Sequence, residues 1–299
     1  PPELATLLSR SPLPVSPGLR TRSYMVEFDA YAARRLPAAE HLIAFNGQAL
    51  YQFRAAAAER YRSRALVSAN SHLRRVARQH AKAHRQYPLE GSWTRGLVRR
   101  NLREYAQADR IYVASEYTRE SFLEEGFREE TLARFQFTPD PRYQAAASPS
   151  RADTFGIVYV GSLSVAKGVP LLIDAVRRLP HDDIRLVLVG GWGSRGMRRF
   201  IQSACAQDPR ITSGPGDPLA HLHAARLYVH ASYEDGFAYA PAEALACGLP
   251  VIVSEDTGMK ELIERDRNGV VLPTGELDAL SQAIEAAYRG ELLARSPRR

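Results

Sequence analysis

A chain of 299 residues with 45% hydrophobic and 24% charged side chains has room for two domains of ordinary size and the make-up of a soluble globular protein. It holds no run of 18 apolar residues and no secretory leader pattern, and its two cysteines, Cys205 and Cys247, are too few for a disulfide framework or a cysteine-based metal site. The net charge of +7 is uneven: residues 1–150 carry 23 Lys and Arg against 15 Asp and Glu while the remainder is close to neutral, which suggests two lobes with different partners.

The chain opens on Pro1 rather than Met, the pattern of a processed product or a fragment. In the first half, Ala39–Phe45 reads as a strand, Ala49–Ala58 as an alanine-rich helix, Ser63–Ala69 as a strand and Leu73–His84 as a strongly basic helix. Leu97–Ala108 predicts another helix and Arg110–Ala114 a buried strand. Ser115 is the expected N-cap of a helix holding Arg119–Leu123. Thr138–Asp153, rich in Pro, Ala and Ser, reads as a linker, which sets the domains at residues 1–150 and 151–299.

The second half alternates between two periods. Strand-like runs at Phe155–Gly161, Ile184–Val189, Arg210–Ser213, Leu227–Ala231, Pro250–Ser254 and Val270–Leu272 are separated by helical patterns. Those patterns are Val169–Leu179, Met197–Ala206, Pro218–Ala224, a helix holding Ala242–Cys247, Met259–Glu264 and Leu277–Tyr288. Short strands alternating with helices predict a parallel, doubly wound α/β sheet covered on both faces.

Some chemistry is legible from residue types alone. Lys167 ends a glycine-flanked loop and offers a compact charge, while Gly168 lets a backbone approach closely; the plain alternative is a solvated lysine before a helix. Gly236 and Phe237 precede a helix whose free N–H groups suit a phosphate or a sugar edge, or simply form a helix entry. Glu243 stands among Ala242, Ala244, Leu245 and Ala246, so its carboxylate needs partners. Gly190 and Gly191 follow a strand end, where ligands approach open α/β sheets or where a tight turn simply needs glycine, and Asn46 and Gly47 follow a strand end in the first half.

Three segments together resemble glycosyltransferase family 4, the retaining GT-B enzymes. Val158–Gly168 resembles the family's glycine-to-lysine-glycine loop. Ser232–Ile252 resembles its acidic pair, with seven residues between Asp235 and Glu243. Gly258–Leu262 followed by Asn268 and Gly269 resembles its last loop and turn. Weaker likenesses lie at Ala108–Glu116 and Val67–His72. The resemblance covers most of residues 40–290 and implies an α/β, GT-B fold: two Rossmann-like doubly wound lobes facing a cleft, the N-terminal acceptor lobe basic and shortened, the C-terminal lobe holding the donor.

It further implies that Lys167 meets the donor diphosphate, Glu243 accepts ribose hydroxyls, Asp235 (or Glu234 in its place) contacts the donor sugar and His72 faces the donor, a lone histidine being otherwise a structural residue. Gly161, Ser162, Gly168, Gly191, Gly236, Phe237 and Ala238 would line the nucleotide. Two departures stand out: Ser162 where the family often has arginine, and Asp235 where glutamate is usual. The implied reaction is retaining transfer from a UDP- or GDP-type sugar donor to a glycan or lipid-linked acceptor, with no cofactor. An Asp-X-Asp metal motif is absent from the sequence, and the leaving phosphate would serve as base. The competing reading is a non-catalytic sugar-nucleotide or glycan-binding partner in a polysaccharide-assembly complex.

Residues 74–110 hold ten basic side chains against three acidic. Arg74, Arg75, Arg78, Lys82, Arg85, Arg95, Arg99, Arg100 and Arg103 form either a solvated face or a surface for anionic lipid, which would put a cytoplasmic protein on the inner face of the membrane. Nucleic acid is not expected, because no recognised nucleic-acid module accompanies the charge.

Overall fold

The computed structural model describes residues 17–58, 61–94, 96–135, 138–146, 153–265 and 267–292; Arg95 and residues 147–152 of the expected linker lie outside them. The chain forms two compact units. Residues up to 81 and from 91 to 136 make the first; 82–90 and the residues from 137 onward make the second. The boundary expected at residue 150 therefore falls earlier, and a short stretch of the first half belongs to the second unit.

In the first unit, α1 (Pro17–Ala33) precedes β1 (His41–Phe45), α2 (Leu50–Ala58), β2 (Ser63–Ser68) and α3 (Leu73–Gln86), whose last turn belongs to the second unit. Then come α4 (Val98–Tyr105), β3 (Arg110–Val113), α5 (Glu116–Leu123) and β4 (Leu132–Arg134). The four strands are parallel and lie in chain order. Register puts Ala44, Leu66, Ile111 and Val113 on one face, where they pack with Phe53, Tyr105 and Phe122. Ile43 and Phe45, on the opposite face of the edge strand, are 63% and 62% exposed. Ser115 caps α5 as expected, its hydroxyl accepting Thr118 N–H at 3.0 Å. Neither α1 nor β4 is foreseen by pattern: α1 lacks a regular apolar period, and three residues are too few to carry one.

Much of the basic charge is answered within this unit. Arg74 and Arg78 reach Glu125 at 2.6 and 3.3 Å, and Arg75 pairs with Glu124. Arg100 pairs with the buried carboxylates of Asp29 and Glu104. Those two carboxylates close the N-terminal end of α2: Asp29 accepts the N–H groups of Tyr51 and Gln52, and Glu104 accepts those of Gly47, Ala49 and Leu50.

The second unit follows the predicted alternation. Its elements are β5 (Phe155–Val160), α6 (Val169–Arg177), β6 (Ile184–Val189), α7 (Arg195–Gln207), β7 (Ile211–Gly214), α8 (Pro218–Ala224), β8 (Leu227–His230), α9 (Tyr239–Ala246), β9 (Val251–Ser254), β10 (Gly269–Leu272) and α10 (Leu277–Tyr288). The helix expected near Met259–Glu264 is a 3₁₀ turn at Gly258–Leu262. The sheet is parallel with order β10-β9-β8-β5-β6-β7, so strand order reverses between β5 and β8. That reversal is what doubly wound means, and ligands of such sheets bind where the loops part, at the carboxyl ends of the strands. Ile157, Leu186, Leu188, Leu227 and Val229 fill the core against α6, α7 and α10. At the amino ends, Arg210 bonds Asp208 and the carbonyls of Leu179 and His181, tying two turns together.

Candidate functional site

The loop after β5 and the loop after β8 flank the reversal, and backbone bonds stitch them together. Tyr233 N–H donates to Ala166 O at 2.9 Å and the Ser232 hydroxyl to the same oxygen at 3.2 Å. Gly168 starts α6 in the left-handed region (φ 70°), and a Cβ there would lie 1.9 Å from Ala231 O; only glycine lets the loops approach this closely. A third segment joins them: Asp235 N–H donates to Asp256 O at 3.1 Å and Gly258 N–H to Asp235 O at 2.9 Å. The three stretches singled out from sequence thus meet at one end of one sheet.

There Lys167 Nζ lies 2.5 Å from Asp235 Oδ2, the side chains being 28% and 14% exposed. His230 Nε2 is 3.2 Å from the same oxygen. Burial pushes the Asp235 carboxyl up, but the Lys167 charge and the His230 bond outweigh it and hold it well below the usual carboxylate range. Burial pushes the His230 imidazole down despite Asp235, so the ring is neutral, with its proton on Nε2 as the carboxylate requires. Its Nδ1 is buried with no hydrogen-bond partner. The ring lies parallel to Tyr159 and Tyr228, at centroid distances of 6.2 and 6.5 Å.

Glu243 sits on α9, one helix entry beyond. Burial raises its carboxyl; the Arg142 charge and a hydrogen bond with Tyr143 pull the other way. The Arg142 guanidinium in turn donates to the Tyr143 hydroxyl at 2.8 Å. Burial raises the Tyr228 phenol, and both Asp235 and Glu243 add to that rise, which places this tyrosine within electrostatic reach of each. Between the two acids, Ala238 caps α9 at φ 66°, a positive angle rare for a residue with a Cβ.

The other expected site residues divide. Gly161 and exposed Ser162 open the Lys167 loop, and the Ser162 carbonyl accepts the Tyr159 hydroxyl at 2.9 Å. Gly190 (φ 153°) packs so closely that a Cβ would be 1.8 Å from Gly161 O, and the Gly191 carbonyl accepts Leu163 N–H at 2.8 Å. Buried Gly236 and Phe237 stand between Asp235 and α9.

His72, by contrast, is a fully buried core residue of the first unit. Its ring lies 4.8 Å from Tyr105 and 5.2 Å from Phe122, and burial brings its pKa down to about 4. The imidazole is neutral and enclosed by aromatic rings, with Nε2 buried and unpartnered, which are the surroundings of a structural histidine in the first unit. Asn46 and Gly47 are likewise engaged internally, Asn46 with Tyr105 at 2.9 Å and Gly47 with Glu104 at 2.6 Å. Sequence reasoning missed His230, Tyr143 and Arg142. His230 carried a signal, a polar residue closing an apolar strand five positions before Asp235; the other two lie in the stretch read as linker. Among the described residues no three His, Cys, Asp or Glu side chains converge as a metal ion requires.

Residues 143–299 match the profile of a family described as glycosyl transferases group 1. A GDP-mannose-dependent alpha-mannosyltransferase of Mycobacterium tuberculosis is 32% identical over 200 residues, 63% of this chain and 51% of that protein. A D-inositol 3-phosphate glycosyltransferase of Mycobacteroides abscessus is 30% identical over 172 residues, 53% of this chain and 37% of that protein. The chain therefore spans about half or less of the length of these curated relatives. Among solved structures, Anabaena HepE in complex with UDP and glucose superposes with a TM-score of 0.67 at 20% identity, covering 89% of this chain and 74% of that one. At that identity the likeness speaks for the fold alone.

Proposed function

Because the chain belongs to the glycosyl transferases group 1 family, we propose that it transfers a sugar from a UDP- or GDP-type nucleotide donor to a glycan or lipid-linked acceptor, with the anomeric configuration retained and no metal required. One observation carries the reading: Lys167 and Asp235 meet where the strand order reverses, with Glu243 on the helix that follows.

Each residue then has a physical task. Cleaving the anomeric C–O bond drives negative charge onto the diphosphate, and Lys167 supplies a pre-placed ammonium to meet it. Asp235, kept ionised, accepts from sugar hydroxyls. Glu243 accepts from the ribose, a role suited to a half-buried carboxylate with room for further donors. As the anomeric C–O bond breaks and the acceptor oxygen bonds to that carbon, an oxygen of the leaving diphosphate takes the acceptor proton on the same face, so no separate base is needed.

Exposed Ser162 supplies no second cation from the loop, and this favours the non-catalytic sugar-nucleotide partner as the alternative. Donor hydrolysis separates the two. A thermal-shift panel of nucleoside diphosphates and their sugars should find one nucleotide that stabilises the protein, by about 2.7 kcal/mol at a hundredfold excess over Kd. Glu243→Ala should abolish that gain. If none of the nucleotides stabilises the folded protein, the donor reading fails; if one binds but its sugar is never released, the non-catalytic reading stands.

A further inference from the structure

We propose that His230 is a positioning residue for the donor sugar: it holds Asp235 by Oδ2 so that Oδ1 stays turned out to receive a sugar hydroxyl. The proposal rests on the donor reading above and deepens it by naming what sets the sugar-contacting carboxylate.

The two oxygens of Asp235 have different surroundings. Oδ2 takes Lys167 Nζ at 2.5 Å and His230 Nε2 at 3.2 Å. Oδ1 takes no hydrogen bond among the described residues and is not among the buried unsatisfied atoms, so it remains open. A carboxylate fixed through one oxygen has little freedom to swing the other, and aspartate has a short arm. When a diphosphate draws the Lys167 ammonium toward itself, His230 is the donor that remains on Oδ2.

The imidazole is also an expensive way to fill its place. His230 is 3% exposed at the end of an otherwise buried strand, and its Nδ1 has no partner. A buried nitrogen without a bond costs stability, and a leucine or phenylalanine would fill the space without that cost. The one hydrogen bond its ring makes goes to Asp235. The ring lies parallel to Tyr159 and Tyr228, whose hydroxyls are tied to Ser162 O at 2.9 Å and Val160 O at 3.1 Å. Such a wall suits the fixing of a charged group better than it suits packing.

The test is calorimetric titration of the 299-residue protein with UDP, UDP-glucose, GDP and GDP-mannose, alongside His230→Phe, His230→Gln and Asp235→Asn. For the nucleotide that binds, His230→Phe should weaken the sugar nucleotide about ten-fold and the bare diphosphate less than about two-fold. His230→Gln, which keeps an N–H donor, should recover most of the loss. Asp235→Asn should change the same ratio, and the double variant should lose no more than either single one. Should His230→Phe not fold, His230→Met removes the same donor. Equal weakening of both ligands, no weakening of either, or additive losses in the double variant overturns the positioning role while leaving the donor reading intact. A wild-type protein that binds none of the four ligands overturns both.

Discussion

Lys167 Nζ lies 2.5 Å from Asp235 Oδ2, although the two residues are 68 positions apart in the chain. The contact exists because β5 and β8 are neighbours across the reversal of strand order, so each loop delivers one side chain to the same place. Lys167→Met leaves a partly buried carboxylate without its cation. It is expected to lower unfolding free energy in urea by about 1–3 kcal/mol, with Asp235→Asn in the same background recovering part of the loss. Donor turnover by Lys167→Met should fall by about 10²–10³.

His72 offers a pH dependence with a definite sign. Its folded pKa of about 4 lies below the ordinary 6.5, so the unfolded chain takes the proton first. Its neutral burial is therefore fully stabilising above pH 6.5 and is progressively undone as pH falls toward 4. Denaturant melts across that range should show a loss of up to about 3 kcal/mol that His72→Phe reduces. A slope unchanged by the substitution would place the titration elsewhere.

Gly168→Ala puts a Cβ into the Ala231 carbonyl at a positive φ. The expected cost is at least about 2 kcal/mol by thermal or urea unfolding, because the left-handed strain alone accounts for roughly 1–2 kcal/mol before the clash is counted. Nucleotide stabilisation of the variant should fall as well, since Lys167 is the preceding residue.

Tyr143→Phe removes a hydrogen bond from Glu243 while keeping the buried ring. Nucleotide affinity measured by calorimetry should weaken about three- to ten-fold, less than the complete loss expected for Glu243→Ala.

The lipid-surface reading of the basic stretch requires cations left unanswered by the first unit. Arg74, Arg75 and Arg78 are tied to Glu124 and Glu125, whereas Arg99 and Arg103 are exposed. Flotation with anionic liposomes should carry the protein at low salt and release it as salt rises, and Arg99→Glu with Arg103→Glu should reduce it. Indifference to lipid charge would remove the peripheral reading.

Legibility in the sequence followed periodicity and local chemistry. The second half was readable because each buried parallel strand is an apolar run bounded by Gly, Pro or polar residues. Ser115 was readable because an N-cap is decided by its immediate neighbours. The first half was harder. The apolar residues of α1 fall on no single stripe, and what fixes the helix is Asp29 reaching the first turn of α2, a contact between separate elements. The surroundings of His72 were hidden for a related reason: they come from Tyr105, Phe122 and Phe127, which follow much later in the chain. Asp235 and Glu243 were singled out because the resemblance rests on a local spacing, while His230 emerged only once β8 had placed it beside Asp235.

The Arg210 clasp has a wider corollary. It ties turns at the amino ends of β6 and β7, whereas Lys167, Asp235 and Glu243 all follow the carboxyl ends of β5 and β8. The clasp and the proposed donor site thus occupy opposite rims of one sheet. A dye attached at Asp182, beside the clasp but not part of it, would sit on the rim away from Lys167, Asp235 and Glu243.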